Sequence, residues 1–380
     1  MPVELQLGLV TRTQPVSLRL AAYRFYRYLV GILKRVVRWE FWPPHLFYPP
    51  VIAYIAYLGL RFRSFTLFTA SNPGMPAGGF VGESKHEILS HLKNEHLKNA
   101  NSFLPFSMLL REGSPEDRLE QTEAFMQRHQ LSFPIVLKPD AGQRGSGVVV
   151  ARSPQRLREY LDRASFPTIV QEHVPGKEFG VFYACYPDDK QGRIFSVTEK
   201  RMPMVVGDGR RTLEELILAD DRAVCMADYY LRNNSERAHD VPAAGKRVQL
   251  VEIGTHCRGS IFLDGSYAIT PALEKTIDQI ARSFEGFFFG RFDIRVPSLG
   301  DFMAGKNLKI IELNGVTSEA THIYDPKLSL FEAYRVLFAQ WRIAFEIGHQ
   351  NRERGMRQSS VMELLRMVVD YGQLARAYPQ

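Results

Sequence analysis

The sequence predicts an α+β protein whose sheets are mostly antiparallel, and three observations carry that prediction. Runs of β-branched and aromatic residues recur along residues 133–315, most of them bounded by turn residues. Helix-capping signatures stand before and between these runs, among them Ser84 with Glu87, Ser114-Pro115, Ser153-Pro154 and Thr212 with Glu215. Finally, two of the runs are joined by a small-residue loop at 142–147, which makes them a hairpin.

A chain of 380 residues that is 45% hydrophobic is expected to bury a large core and to divide into two or three lobes. Cys185, Cys225 and Cys257 are too widely spaced for a disulfide framework or a zinc site, so a reducing cytosol is expected. The opening MPVELQLGLVTRT lacks the charged-then-apolar pattern of a secretion signal. Net charge is +7, and residues 1–64 account for all of it, with nine Arg/Lys against two Glu. Basicity confined to one terminal segment argues against a nucleic-acid face spread over the protein.

In order, residues 17–39 read as an amphipathic helix. At about 100° per residue, Arg19, Arg24, Arg27, Lys34, Arg35 and Arg38 share one arc and Ala22, Phe25, Leu29, Ile32, Leu33 and Val36 the opposite one. Two arrangements suit it: packing on its own protein with a solvated basic face, which is preferred, or lying on an anionic membrane surface. The proline pairs of WEFWPPHLFYPP interrupt it, and the apolar stretch Val51–Leu60 is too short to cross a bilayer, which takes about 20 residues. SFTLFTA (64–70) reads as a strand and NPGMPAGGF (72–80) as a loop. Helices are expected from Ser84 to about residue 98, from Ser114 to about His129 and from Ser153 to Arg163. TIVQEHV (168–174) should join the sheet of the hairpin, and 178–186 and 192–200 form two more strands around the turn YPDDKQG. A helix from Thr212 to about Leu231, strands at 248–254, 286–296 and 308–315, and helices at 271–284, 328–347 and 359–376 complete the series.

The hairpin FPIVLKPDAGQRGSGVVV (133–150) delivers Lys138 at the end of its first strand, followed by Gly142, Arg144, Gly145, Ser146 and Gly147. Glycines let backbone N–H groups approach a polyphosphate, and the lysine adds a point charge. It is not a P-loop, because the lysine precedes the glycines and no Gly-Lys-Ser/Thr ending follows. Nor is it a dinucleotide fingerprint, because the glycines lead into a strand and not a helix. Far downstream, Glu312 and Asn314 lie two apart on one strand and so share a face, and Asp293 on the preceding strand can oppose them. An Asp, a Glu and an Asn are hard oxygen ligands suited to Mg²⁺ held partly by phosphate oxygens. Arg291 falls on the face of Asp293.

A lysine-bearing glycine hairpin followed by an Asp…Glu-x-Asn set resembles the ATP-grasp superfamily, over most of residues 81–325. The resemblance implies two α+β lobes clamping ATP: a small lobe at 81–190 and a large lobe with the metal site at 191–350. A helical and aromatic segment precedes them at 1–80 and a helical tail follows at 351–380. It implies that Lys85, Lys138, Arg144, Gly145, Ser146 and Gly147 meet the phosphates and that Lys200 also binds the nucleotide. Gln171, Glu172 and the backbone of His173 and Val174 would meet adenine, with Glu178 on the ribose. Asp293, Glu312 and Asn314 would hold Mg²⁺ (or Mn²⁺), and Arg291 would be catalytic with Lys138. KRMPMVVGDGRRTLEELI (200–217) is similar to a segment of cyanophycin synthetase and its peptide-ligase relatives, and GRFDIRV…IELNGVTSE to D-alanine–D-alanine ligase in spacing.

Such a family implies ATP-dependent ligation: a small-molecule carboxylate becomes an acyl phosphate, which an amine then attacks. Arg258, within GTHCRGSIFLDGS, and Ser318 are placed on the substrates by the same resemblance. His256 and Cys257, without a third ligand, read as structural. The turn GVTSEATHIYDP departs from the Pro-Gly-containing turn of D-alanine–D-alanine ligase, which argues against a D-alanine substrate. The expected setting is the cytoplasm, or the inner face of a membrane met peripherally through residues 17–63. A different class is a nucleotide-binding, ligation-inactive regulator at a membrane surface, against which the intact metal set and Arg291 speak.

Overall fold

A computed structural model describes residues 18–92, 102–111, 113–143 and 145–378. Arg144, and the part of the expected 84–98 helix beyond residue 92, lie outside them. The N-terminal third contains helices α1 (Leu18–Val37), α2 (Pro44–Phe47), α3 (Pro49–Arg61) and α4 (Lys85–Ser90), then strands β1 (Ser102–Phe103) and β2 (Ser107–Leu110). α5 (Pro115–Arg128), β3 (Ile135–Pro139), β4 (Val149–Ala151), α6 (Pro154–Leu161) and β5 (Thr168–Glu172) follow, then β6 (Lys177–Ala184), β7 (Arg193–Arg201) and β8 (Met204–Val206). The remainder holds α7 (Leu213–Ala219), α8 (Ala227–Asn233), β9 (Arg247–Gln249), β10 (Ile261–Asp264), α9 (Pro271–Ser283), β11 (Phe289–Val296), α10 (Leu299–Met303) and β12 (Leu308–Asn314). Two helices close the chain, α11 (Leu330–Glu353) and α12 (Val361–Ala375).

Two compact units emerge: one combines residues up to Trp42 with Met204–Leu250, the other Pro43–Pro203 with Val251 onward. The larger unit holds a six-stranded sheet in the order β1-β12-β11-β6-β7-β10 and a four-stranded sheet in the order β2-β5-β3-β4. Every pairing is antiparallel except β1 with β12, as the α+β prediction requires. One boundary of the expected lobes, at 190/191, falls in the turn joining β6 and β7. The six-stranded sheet buries one face on α9 and α10 through residues such as Phe179, Ile277, Phe292 and Phe302, the rings of Phe179 and Phe302 stacking at 3.9 Å. Its other side meets α11 and α3 through Leu58, Phe182, Phe289 and Phe345. The small sheet is backed by α5 and α6 around Phe125, Leu137, Leu157 and Val170, and Tyr378 near the chain end packs into that cluster.

SFTLFTA is not a strand. Leu67–Ser71 form a 3₁₀ turn buried against α11, where Gly348 lets that helix approach so closely that a Cβ would stand 2.3 Å from the Leu67 carbonyl oxygen. Tertiary burial there overrides the β-propensity of Phe and Thr. Fully buried Asn72 next to it accepts from the N–H groups of Phe288 and Phe289 at 2.9 and 2.8 Å. Its amide donates to the carbonyls of Phe289 at 2.7 Å and Gly78 at 3.0 Å, fastening the loop to the start of β11.

The second correction concerns the smaller unit. α1 packs on its own protein, but through its basic side. Arg27 donates to the carbonyls of Leu218 (2.6 Å) and Ala219 (3.0 Å), satisfying the C-terminal end of α7 with a positive charge. Arg24 pairs with Glu214 at 2.6 Å and Lys34 with Asp221 at 2.5 Å. Gly31 sits against Val224, whose carbonyl oxygen would be 2.5 Å from any Cβ. The expected solvated basic face is therefore the docking face, because carboxylates and free helix-end carbonyls stand opposite it. The predicted helix from Thr212 to about Leu231 is also divided: Asp220 accepts from the N–H groups of Arg222 (2.9 Å) and Ala223 (2.7 Å), turning the chain into a 3₁₀ segment before α8. β8 and β9, which pair with each other, reduce the predicted strand at 248–254 to Arg247–Gln249.

Candidate active site

The site lies in the larger unit and starts from cross-strand register. Between β11 and β12, Asp293 is opposite Glu312 and Arg291 is opposite Asn314. Directly opposed residues project from the same face, so all four side chains gather on one side of the sheet, as their spacing predicted. Gly180 on β6 is opposite Asp293 and leaves room for it: a Cβ there would lie 3.3 Å from Arg291 Cδ and 3.4 Å from Asp293 Oδ1.

Two neighbouring strands supply the rest of the charge. Lys200 on β7 stands between Glu178 Oε1 and Asp293 Oδ2, 3.0 Å from each. Arg295 holds the other Glu178 oxygen at 2.8 Å and donates to the Val174 carbonyl at 2.6 Å. Asp293 Oδ1 accepts from Arg291 Nε at 3.0 Å, and Arg291 also donates to the Glu319 carbonyl at 2.9 Å. Burial disfavours ionisation of Asp293, but Arg291 and Lys200 outweigh it and hold the carboxyl well below its ordinary range. Glu312 is lowered in the same way, with Lys85 and then Lys138 overcoming burial.

Lys85 and Lys138 reach this cluster from the small sheet and the helix beside it. The loop after β3 fixes α4: Asp140 accepts from the His86 N–H through Oδ1 at 3.0 Å, and its carbonyl accepts from the Lys85 N–H at 3.1 Å. Ser84 caps the helix by accepting from the Glu87 N–H, which is the Ser84 half of the predicted capping signature. Lys85 Nζ then pairs with Glu312 Oε1. Lys138 Nζ donates to Gln171 Oε1 at 3.1 Å and the Ile311 carbonyl at 3.2 Å, neither of which carries a charge. Burial therefore pushes its ammonium down to about 8, with Glu312 only partly opposing. Five cations thus stand around three carboxylates (Glu178, Asp293 and Glu312), a surplus of positive charge suited to a polyanion.

The hairpin has the predicted form, β3 pairing antiparallel with β4 and with β5. Gly145 and Gly147 adopt φ of +73° and +67°, the left-handed region that favours glycine. A Cβ on Gly145 would lie 3.0 Å from Thr255 Cγ2, so the loop rests close to the 253–255 segment, and Ser146 closes a turn by donating from its N–H to the Gln143 carbonyl at 3.0 Å. Along the expected adenine strand, Glu172 pairs with Lys309 at 2.5 Å and accepts from the Phe106 N–H at 3.2 Å. Next to it the His173 ring is held below its ordinary value by burial and by Arg295.

Asp293, Glu312 and Asn314 offer two carboxylates and an amide, and Asn314 Nδ2 is buried without a hydrogen-bond partner. No group of three His, Cys, Asp or Glu residues is placed to hold a metal among the described residues. Hard oxygen donors too few to enclose an ion suit Mg²⁺ sharing its coordination with phosphate and water, so the residues fit.

Arg258 lies on a half-buried turn closed by Gly259 at φ +86°. Ser318 is buried, its hydroxyl donating to the Gly315 carbonyl at 2.5 Å and its carbonyl accepting from Gln340 at 2.7 Å. Its neighbour Glu319 takes hydrogen bonds from Tyr48 at 2.9 Å and Tyr324 at 2.8 Å, and the His256 ring stacks on Tyr324 at 4.2 Å. Sequence reasoning passed over Arg295, Lys309 and Glu83. The alternation Arg291-Phe-Asp293-Ile-Arg295 signals the first, whereas no local pattern marks the others. Burial raises the Glu83 carboxyl above its ordinary value, and its Oε2 is buried without a hydrogen-bond partner.

Residues 112–181, which include the hairpin, match the family model described as a RimK-like ATP-grasp domain. No curated protein matches the chain by sequence. Among solved structures it is similar to a bifunctional glutathione synthetase from Pasteurella multocida, at 15% identity and a TM-score of 0.36, over 70% of this chain and 38% of that one. It is also similar to D-alanine–D-alanine ligase from Bacillus anthracis, at 13% identity and a TM-score of 0.37, over 69% and 67%. An L-amino acid ligase from Bacillus licheniformis is similar at 12% identity and a TM-score of 0.35, over 64% and 43%. The chain thus spans 38% of the length of the synthetase and 43% of the amino acid ligase. The stretch that carries the hairpin and strands β3 to β5 is thus similar to a RimK-like ATP-grasp domain.

Proposed function

We propose that the protein is an ATP-dependent carboxylate–amine ligase, with the lobe at 81–190 and the lobe at 191–350 closing on the nucleotide. The observation that carries this reading is the convergence of Arg291, Asp293, Glu312 and Asn314 on one sheet face beneath Lys85, Lys138 and Lys200. Binding residues for ATP are Lys85, Lys138 and the 142–147 loop on the phosphates, with Lys200 also in the nucleotide site. The 171–174 segment meets adenine, and Glu178 the ribose.

Asp293, Glu312 and Asn314 would hold Mg²⁺ or Mn²⁺, which when bound supplies charge neutralisation at the phosphates. The lysines leave their carboxylate partners for phosphate oxygens as the nucleotide enters, an exchange of one anionic partner for another. A substrate carboxylate oxygen attacks the γ-phosphorus and ADP departs. The amine then adds to the acyl carbon, and phosphate leaves as the carbonyl re-forms. Arg291 stands beside Asp293 and contributes a guanidinium to the oxyanion of that second step. The 142–147 loop excludes water from the acyl phosphate. Arg258 and the turn at Ser318 and Glu319 face the substrates.

Incubating the protein with ATP, Mg²⁺ and pools of carboxylates and amines, with product mass read by mass spectrometry, tests the proposal. ADP formation that requires both a carboxylate and an amine, with a product lighter than their sum by one water, is the expected result. ATP turnover indifferent to either pool refutes it.

A further inference from the structure

The outward side of α1 is apolar. Phe25, Leu29, Ile32, Leu33, Val36 and Val37 are 43–82% exposed, while Arg24, Arg27 and Lys34 behind them are engaged with Glu214, Asp221 and the end of α7. An amphipathic helix whose only task is to complete a globular unit turns its apolar stripe inward; this one does the reverse. We propose that the outward face of α1 docks on the surface of an anionic phospholipid bilayer.

Two observations select that occupant. The first is angular width. At about 100° per residue, Ile32, Phe25, Val36, Leu29, Leu33 and Val37 follow one another round the helix, and with Tyr23 and Tyr26 they cover about half its circumference. A single partner helix from a second copy covers the narrower seam of two heptad positions and leaves the flanks wet. A bilayer surface receives a half-cylinder, with its apolar side sunk to the headgroup–acyl boundary. Charge is the second. Exposed Arg35 borders the apolar face on one side, the height at which anionic headgroups meet a half-sunk helix, while Lys34 on the other side is held by Asp221 at 2.5 Å. Among the described residues no helix is long and apolar enough to cross a membrane, so α1 lies on the surface and does not span it.

Co-sedimentation of the full chain with two kinds of vesicle tests the proposal: phosphatidylcholine alone, and phosphatidylcholine with about 30% phosphatidylglycerol. The expected result is partition into the mixed vesicles and much weaker partition into the neutral ones. Ile32→Glu with Val36→Glu should lower partition at least about tenfold, since both side chains leave the apolar layer. Arg35→Glu should lower it less, chiefly at low salt. Both altered positions are exposed, so an unchanged far-ultraviolet spectrum and melting curve separate loss of docking from loss of folding. Partition equal for both vesicles, absent from both, or unmoved by the double substitution overturns the proposal. So does a concentration-dependent dimer in vesicle-free solution that Ile32→Glu dissolves, which would assign the face to a second copy.

Discussion

Asp293 is the residue whose replacement separates the electrostatic account from its alternatives. Asp293→Asn keeps the shape of the side chain and removes its charge. Two cations lose by it: Arg291, whose Nε lies 3.0 Å from Oδ1, and Lys200, whose Nζ lies 3.0 Å from Oδ2. Lys200 keeps Glu178 at 3.0 Å, whereas Arg291 keeps the neutral Glu319 carbonyl at 2.9 Å. Removing one partner of a buried ion pair costs about 3–5 kcal/mol. The partner left to Lys200 puts this case near the lower end, about 3 kcal/mol, or a fall in Tm of about 5 °C in a unit of this size that unfolds cooperatively. The pH dependence has a fixed sign. The folded-state carboxyl titrates below its ordinary value of 3.8, so its contribution is present above that value and is lost as pH falls through the folded-state value. The Tm gap between the two proteins should therefore be full at pH 7 and narrow in acid. Differential scanning calorimetry at several pH values, with and without ATP and Mg²⁺, reads all of this. Nucleotide should raise Tm in the parent and lose most of that effect in the variant, together with ATP turnover. A variant as stable as the parent at pH 7 refutes the ion-pair account, and one with undiminished turnover refutes the proposed role of Asp293.

Lys138, pushed down to about 8 by burial, should make nucleotide affinity fall as pH rises past that value. Titrations between pH 6.5 and 9.5 should show Kd rising up to about tenfold per pH unit, and Lys138→Met should flatten the profile. Stability of the nucleotide-free protein runs the other way: an unfolded lysine near 10.5 holds its proton more tightly than the folded one, so stability rises between about 8 and 10.5. Asn72→Ala strips partners from two buried N–H groups and leaves two carbonyls each short of a donor, and should cost about 3 kcal/mol in urea denaturation. A loss under about 1 kcal/mol would mean that water or a shifted loop replaces those bonds. Gly180→Val places branched carbons against Arg291 and Asp293, and should abolish ATP-dependent product formation while the circular dichroism spectrum is retained.

Much of the site is legible in the chain because strands have a period of two. Glu312 and Asn314 announce a shared face, and Arg291 with Asp293 another, so once the two strands pair the four side chains must gather, as their register confirms. The hairpin is equally local, since its glycines and the order of Lys138 before them specify two strands and the loop between them. What the sequence did not disclose is partnership across distance. Nothing near Lys200 indicates that it will bridge Glu178 and Asp293, because that depends on the β6–β7 and β6–β11 registers together. Nothing in SFTLFTA announces that burial against α11 will bend a β-prone run into a 3₁₀ turn. The two faces of α1 are written in its periodicity, but which one turns inward was decided by Glu214, Asp221 and the end of α7, more than 170 positions away. Local propensity and periodicity assign each residue to a face; only the tertiary contacts decide what that face meets.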